Sequence, residues 1–289
     1  MIHEIPLERR TLHGHFSRDL TPILTIEPGD SVTFSTLDAG WHAVPEKRFF
    51  DELDPELDEG HALVGPIEVR GARAGDALEV RIDTVDVGTW GITFADGEGM
   101  IWSLDAAAGT GTGPARATVA LSPFLGVLGM PPPEPGVHST GPPRRWGGNI
   151  DCTELVAGAT LFLPVPVAGA CFSAGDGHAR QGDGEVSGTA IECPLERAQL
   201  TLNLRNDLEL RTPVAWTEDA WITLAFHEDL DEAAAIATDA MLDLMSREQG
   251  LERRDALALA SVVVDLRVTQ VVNGVKGVHA MLRHDAIRI

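Results

Sequence analysis

The sequence predicts a mainly β protein that ends in a helix pair and a terminal β-hairpin. Through most of the chain, β-branched residues alternate with polar ones in short runs that end at Gly, Pro or Asp turns. One stretch near residue 230 has instead the apolar spacing of a helix. After it, Asn273-Gly274 stands between two β-branched runs, which is typical of a hairpin turn.

The first predicted strands lie on either side of Pro-Gly and Ala-Gly turns. Residues 23–36 read as strand, turn and strand around Glu27-Pro28-Gly29-Asp30, and residues 67–82 show a similar arrangement around Gly75-Asp76. No fixed period relates the two, so they do not form a sequence repeat. Further β-type runs predict strands at residues 160–167, 185–191 and 200–204.

Two helices are predicted near the C-terminus. The first begins near Asp229 or Asp231 and stops at Gly250, and a shorter helix covers residues 251–261. Apolar residues at helical spacing form one stripe on the first helix, which we assign to the core. The stripe consists of Ile236, Ala240, Met241, Leu244 and Met245.

The hairpin and the domain division complete the predicted architecture. Strands at residues 262–272 and 275–282 flank the Asn-Gly turn. We divide the chain into an N-terminal β-rich part at residues 1–130 and a second β-rich part at residues 131–289. The second part carries the metal or catalytic loop and the helices. The alternative is one interleaved domain, because the chain length fits either organisation.

Composition and charge restrict the partners. The chain has 44 acidic and 22 basic residues and a formal charge of −22, whereas nucleic acid or an anionic membrane would require a positive patch. Three separated cysteines, in no Cys-x-x-Cys pair, indicate buried thiols and not a disulfide framework. The N-terminus lacks a signal-peptide pattern, and no apolar run approaches about 20 residues. We therefore expect a cytoplasmic protein with no nucleic-acid or membrane partner.

The stretch with the most evident chemistry is Gly-Asp-Gly-His-Ala-Arg-Gln-Gly-Asp-Gly-Glu at residues 175–185. Asp176 and His178 are two residues apart, so on an extended backbone both side chains point to the same face. Imidazole and carboxylate groups are common ligands of a divalent metal, with zinc favoured here and calcium the alternative. Asp183 suits a turn or a supporting position. The competing interpretation is an acidic surface turn.

Four further residues are candidates for the same site. Asp151 follows a Gly-Gly-Asn turn and is a third candidate metal ligand, and His42, which is next to a tryptophan, is a fourth. Glu185 is predicted at the start of the strand at 185–191, where partial burial would raise its pKa and suit it as a general base. Asn149 could donate a hydrogen bond to an oxyanion. The structural alternatives are a turn residue, an edge-strand acid and a partly buried, hydrogen-bonded histidine.

Four strings together resemble the acetamidase/formamidase family. They are EPGDSV at residues 27–32, LSPFLGVLG at 121–129, GGNID at 147–151, and LPV at 163–165 followed by GDGHARQGDGE at 175–185. The helix pair and the run QVVN at 270–273 fit the family as well. The resemblance implies a sandwich-like β protein that hydrolyses small aliphatic amides to acid and ammonia. It also implies a divalent metal at the site, a homo-oligomer and, in some relatives, activity on cyclic amides.

The predicted function is therefore hydrolysis of formamide, acetamide or a related short or cyclic amide. In this hypothesis Asp176, His178 and Asp151 hold a metal that activates water, and Glu185 is the general base. The alternative is a non-catalytic β-sandwich in which Asp176, Asp183 and Glu185 hold calcium for structure or ligand binding. The histidine in the middle of the run argues against the calcium hypothesis.

Overall fold

The computed structural model describes residues 1–288, which form a mostly β protein with two helices near the C-terminus, as predicted. The first strands are β1 (Ile2–Ile5), β2 (Leu12–His13), β3 (His15–Phe16), β4 (Leu24–Ile26), β5 (Asp30–Phe34), β6 (His42–Val44), β7 (Lys47–Arg48), β8 (Leu63–Val69), β9 (Ala77–Val87), β10 (Trp90–Ala95), β11 (Glu98–Asp105) and β12 (Thr110–Thr112). The later strands are β13 (Thr118–Ala120), β14 (Phe124–Gly129), β15 (His138–Ser139), β16 (Gly147–Asn149), β17 (Thr160–Pro164), β18 (Phe172–His178), β19 (Leu195–Arg205), β20 (Val214–Trp216), β21 (Ala220–His227), β22 (Val264–Gln270) and β23 (Lys276–Arg283).

Two large sheets carry the core. One has nine strands in the order β1-β5-β19-β9-β17-β20-β21-β23-β22, and the other has the order β16-β14-β18-β8-β2 with β4 paired to β8. Fully buried side chains of both sheets belong to one apolar cluster, for example Val80 and Leu200 from the first sheet and Leu128 and Phe172 from the second. This shared apolar cluster gives the fold its sandwich character.

Each large sheet contains strands from both halves of the chain as neighbours. In the nine-stranded sheet β19 pairs with β5 on one side and with β9 on the other, and β17 also pairs with β9. In the second sheet β18 lies between β14 and β8. The strand–turn–strand segment at 23–36 connects the two sheets, because β4 joins the second sheet and β5 joins the first.

The predicted strand at residues 185–191 is wrong. These residues form turns, bends and irregular structure, and the isolated bridges nearby are made by Gly184 and Glu192 on either side of the segment. Gly184 and Gly188 have φ values of 93° and 88°, in the left-handed region that interrupts an extended strand. The alternation of polar and apolar residues in this segment therefore reflects a folded loop.

The helices follow the predicted boundaries closely. In α1 (Leu230–Gln249) the Asp229 carboxylate accepts hydrogen bonds from the first-turn amides, and Gly250 ends the helix at φ 67°. The helix packs on β21 and β23 through buried Met241 and Met245. Ile236 departs from the predicted core stripe, because it is 39% exposed.

The second helix, α2 (Arg253–Val263), leads directly into the predicted hairpin of β22 and β23. We call β22, β23 and the turn at residues 271–275 the terminal hairpin. The three cysteines are buried and unpaired, as predicted. Among residues 1–288, no helix combines the length and apolar character needed to cross a membrane.

His13 joins two strands of the second sheet as a buried neutral imidazole. Its Nδ1 lies 2.7 Å from the His15 carbonyl oxygen and must donate, so Nε2, 2.9 Å from the Ser173 hydroxyl, accepts. Burial lowers the pKa of His13 from 6.5 to about 4, a shift that its bond to His15 only partly opposes. Between these values the unfolded chain binds a proton that the folded chain does not, so stability falls as the pH falls.

We expect this histidine to contribute about 2 kcal/mol to the loss of unfolding free energy between pH 7 and pH 5. Urea unfolding at both pH values would show a smaller loss for His13→Gln than for the unchanged protein. The surface substitution His138→Gln is the control and should keep the original difference. An equal loss in all three proteins would contradict the assignment.

Candidate functional site

Four of the six predicted site residues line a cavity of about 170 Å³, and they are His42, Asn149, Asp176 and Glu185. Trp90, Ile92 and Phe94 of β10 supply its apolar wall. The polar lining comes from several other parts of the chain and includes Asn149, Asp176, Glu185, Glu192 and Asn273. A cavity with an apolar wall and convergent polar groups is the usual form of a small-molecule site. A larger groove of about 930 Å³ lies beside α1, but no histidine or cysteine is among its lining residues.

Strand β18 brings Asp176 and His178 together. Both side chains are buried, and His178 Nε2 lies 3.3 Å from Asp176 Oδ2. Asp176 has a φ of 61°, which a non-glycine residue adopts only when its surroundings hold it there. The spacing of two residues in the sequence thus corresponds to two side chains that meet at one point.

Gly126 on β14 provides the space for this meeting. Leu125 pairs with Gly177 and Val127 with Gly175, so Gly126 lies opposite Asp176. A Cβ atom at Gly126 would lie 2.5 Å from Asp176 Oδ2 and 2.8 Å from Asp151 Oδ1. Any side chain at this position would therefore occupy the centre of the carboxylate cluster.

Asp151 enters the cluster from the loop that follows β16. Its φ of 54° turns the chain after the Gly-Gly-Asn strand, and its side chain is buried. Asn273 at the tip of the terminal hairpin donates a 2.6 Å hydrogen bond to Asp151 Oδ2. Gln181 Nε2 donates to the Asp151 carbonyl oxygen at 2.9 Å. The terminal hairpin and the loop after β18 therefore hold this aspartate jointly.

Glu185 reaches the cluster from a loop and not from the start of a strand. Its backbone has a φ of 45° and its side chain is buried. The preceding Gly184 exchanges hydrogen bonds with Thr269 and Val271 of the terminal hairpin. Ligand atoms of Glu185, Asp151 and His178 all lie within 4.8 Å of one another.

Glu192 belongs to the cluster although sequence reasoning missed it. Its Oε2 lies 3.2 Å from His178 Nε2, and its backbone exchanges hydrogen bonds with Ile92 of β10. Glu192, Asp176 and His178 form a second group of ligand atoms within 4.8 Å of one another. The one sequence signal for Glu192 as a site residue was its position as a single acidic residue between the apolar residues Ile191 and Cys193. In the structure both neighbours are buried.

The remaining candidates occupy different positions. Asn149 is buried at the cavity, and its Oδ1 has no hydrogen-bond partner within residues 1–288. His42 lines the cavity, but its Nδ1 lies 3.2 Å from both carboxylate oxygens of Asp38. Asp183 is exposed and accepts a hydrogen bond from Thr153, so the predicted all-oxygen calcium set is not assembled around it.

The charges of the cluster shift the pKa values of its members. Burial raises the pKa of Glu185 and of Glu192 to about 7, and it raises that of Asp151 well above its usual range. Burial would lower the pKa of His178, but the charges of Glu192 and Asp176 raise it. Burial likewise opposes the effect of the His178 charge, which lowers the pKa of Asp176. Four carboxyl groups surround the His178 imidazole, and His61 at the same cavity also lowers the pKa of Asp176. The carboxyl groups outnumber these imidazoles, so the cluster requires either protons or a bound cation.

The unpartnered atoms of the cluster fit a divalent cation. Within residues 1–288, no hydrogen-bond partner reaches His178 Nδ1, Asp151 Oδ1 or Glu192 Oε2, although all three atoms are buried. Buried polar atoms without partners are rare in proteins unless water or an ion satisfies them. One imidazole with several carboxylates is a donor set suited to zinc and similar ions.

Comparison with known proteins places this chain in a family. The chain is 25% identical to the formamidase of Methylophilus methylotrophus, over 61% of this chain and 60% of that protein. It is 25% identical to the acetamidase of Mycolicibacterium smegmatis, over 61% of each. These alignments therefore span less than two thirds of either relative.

A solved structure extends the likeness to nearly the whole fold. The acetamidase of Bacillus halodurans superposes with a TM-score of 0.86 at 28% sequence identity, covering 96% of this chain and 97% of that one. The pattern that defines the acetamidase/formamidase family matches residues 3–111 and 134–215. The chain therefore belongs to the acetamidase/formamidase family, whose named members are amidases of non-peptide C–N bonds.

Proposed function

We propose that this protein hydrolyses small aliphatic amides, such as formamide or acetamide, to a carboxylate and ammonia. The observation that carries the proposal is the convergence of Asp151, Asp176, His178, Glu185 and Glu192 beside one small cavity, which Asp176, Glu185 and Glu192 line. Family membership supports the reaction class. A cavity of about 170 Å³ favours a compact substrate, and the apolar wall from β10 suits a short acyl group.

The residues that would hold a divalent cation are Asp151, Asp176, His178 and Glu192. Their buried nitrogen and oxygen atoms face one another, and several have no other partner within residues 1–288. When bound, such an ion supplies Lewis-acid polarisation of the amide carbonyl and acidifies a water molecule. Zinc is favoured because an imidazole contributes to the donor set.

Glu185 and Asn149 would carry out the proton and hydrogen-bond chemistry. Glu185 accepts a proton from the attacking water, whose oxygen forms the new bond to the carbonyl carbon. The same carboxyl group then returns the proton to the nitrogen as the C–N bond breaks and ammonia leaves. Asn149 donates a hydrogen bond to the carbonyl oxygen, which gains negative charge during the attack.

Two further expectations remain predictions. The family resemblance implies a homo-oligomer, and the sequence implies a cytoplasmic location.

Glu185→Gln should lower ammonia release from formamide and acetamide by about 100-fold or more, because glutamine cannot accept the proton. Bound metal, measured by elemental analysis, should stay at the level of the unchanged protein. The neighbouring substitution Asp183→Asn is the control and should retain activity. Normal activity of Glu185→Gln would exclude this residue as the base, and loss of the metal would make it a ligand.

Gly126→Ala tests the space at the centre of the cluster. The added methyl group would displace the Asp176 and Asp151 carboxylates, so metal retention during dialysis should weaken by about 10-fold or more. Gly182→Ala is the matched control, because nothing lies within 4 Å of its Cβ position. Equal metal content in the two variants would show that the centre of the cluster tolerates a side chain and holds no ion.

Asn273→Ala removes the donor to Asp151 Oδ2 from the terminal hairpin. Without this donor the Asp151 carboxylate loses its fixed orientation, so we expect kcat to fall by about 10-fold to 100-fold. Val271→Ala, a half-exposed change in the same turn, serves as the control for damage to the hairpin. The idea fails if Asn273→Ala and Val271→Ala have the same kcat and the same melting temperature.

A further inference from the structure

A second cluster of ligand-type side chains lies outside the cavity. Cys152 and His279 are fully buried, and Glu154 lies between them. Glu154 Oε2 is 3.2 Å from Cys152 Sγ and 3.3 Å from His279 Nε2. The three atoms lie within 4.8 Å of one another, so a thiol, a carboxylate and an imidazole converge at one point.

The imidazole of His279 has an unsatisfied nitrogen that faces this point. Its Nδ1 is hydrogen-bonded to the Thr269 hydroxyl at 2.8 Å. Its Nε2 has no hydrogen-bond partner within residues 1–288, although the side chain is 0% exposed. A metal-ligating histidine usually has this arrangement, with one ring nitrogen fixed by a neighbour and the other presented to the ion.

The two distances from Glu154 Oε2 are close to those between the ligands of a tetrahedral zinc site. With Zn–S near 2.3 Å and Zn–N or Zn–O near 2.0–2.1 Å, tetrahedral ligands lie about 3.3–3.6 Å apart. The distances of 3.2 and 3.3 Å need only a small adjustment to reach that geometry. We propose that Cys152, Glu154 and His279 bind a zinc-class divalent cation at a second site, separate from the cavity.

The surroundings are compatible with such an ion. Arg267 donates to Glu154 Oε1 at 2.9 Å, which orients the carboxylate and leaves Oε2 facing the cluster. The Glu154 side chain is 13% exposed, so the site lies just beneath the surface. Cysteine binds as a thiolate, and its proton would pass to solvent as the bond to Glu154 is replaced by coordination.

The second site would join the loop after Asp151 to the terminal hairpin. Cys152 and Glu154 lie on that loop, whereas His279 is on β23 and Thr269 is on β22. A cation here would cross-link the two segments that also meet through Asn273. This proposal goes beyond amide hydrolysis and does not depend on it, because its ligands are not those of the cavity.

Cobalt spectroscopy and metal counting would test the proposal. The metal-free protein is reconstituted with Co²⁺, and the near-ultraviolet spectrum is examined for a thiolate-to-cobalt charge-transfer band. The ligand groups at the cavity include no thiol, so loss of the band in Cys152→Ser would assign the band to Cys152. We expect the band in the unchanged protein, and we expect Cys152→Ser to lose both the band and about one equivalent of metal per chain.

Three variants separate the possible outcomes. Cys171→Ser, a buried thiol elsewhere, should keep the band, and His279→Gln should lose it in a chain that retains all three cysteines. Asp176→Asn should leave the band unchanged even if the cavity binds no ion, which separates this proposal from the proposed function. The proposal is wrong if the band is absent and Cys152→Ser has the same metal content as the unchanged protein. In that case Cys152, Glu154 and His279 form only a hydrogen-bonded structural cluster.

Discussion

Four carboxyl groups packed around one imidazole are the constraint on which the site depends. Asp151, Asp176, Glu185 and Glu192 are all at least nine-tenths buried, and His178 lies among them. Removing charged groups from water costs several kcal/mol for each unpaired ion. Such a cluster persists only when protons, hydrogen bonds or a bound cation compensate the charge. The rest of the site supplies the rigid scaffold that keeps these groups together.

The scaffold includes backbone conformations that ordinary residues avoid. Asp151, Asp176 and Glu185 have φ values of 54°, 61° and 45°. Each such conformation costs on the order of 1–3 kcal/mol and persists only where the surrounding structure enforces it. In this protein the enforcement comes from the pairing of β14 with β18 and from the hydrogen bonds between Gly184 and the terminal hairpin. Strain and buried charge therefore occur at the same residues.

Local sequence signals were sufficient for part of this picture. The cap residues Asp229 and Gly250 fixed the ends of the first helix because capping depends on adjacent residues. The spacing of Asp176 and His178 predicted their common direction because strand geometry alternates side chains. The strand predicted at 185–191 failed because the pattern of β-branched residues gave no information about the left-handed glycines.

Other parts of the site depend on long-range pairing, which no local pattern contains. Gly126 matters because the strand register places it opposite Asp176, fifty residues later in the sequence. Glu192 joins the cluster because its backbone bonds to β10. The sequence places Asn273 in a hairpin turn and in a family string, but its role as a donor to Asp151 depends on the position of the terminal hairpin. These contacts arise from the assembled sheets and could not be read from neighbouring residues.

The position of the terminal hairpin has a consequence for synthesis. Thr269, Val271 and Asn273 complete the surroundings of Asp151 and Glu185, yet the ribosome makes them more than eighty residues after Glu185. Until the hairpin emerges, the acidic loops lack these partners and remain hydrated. The nascent chain can therefore form early sheet pairs such as β8 with β18, but the candidate site is complete only after the terminal hairpin has been synthesised.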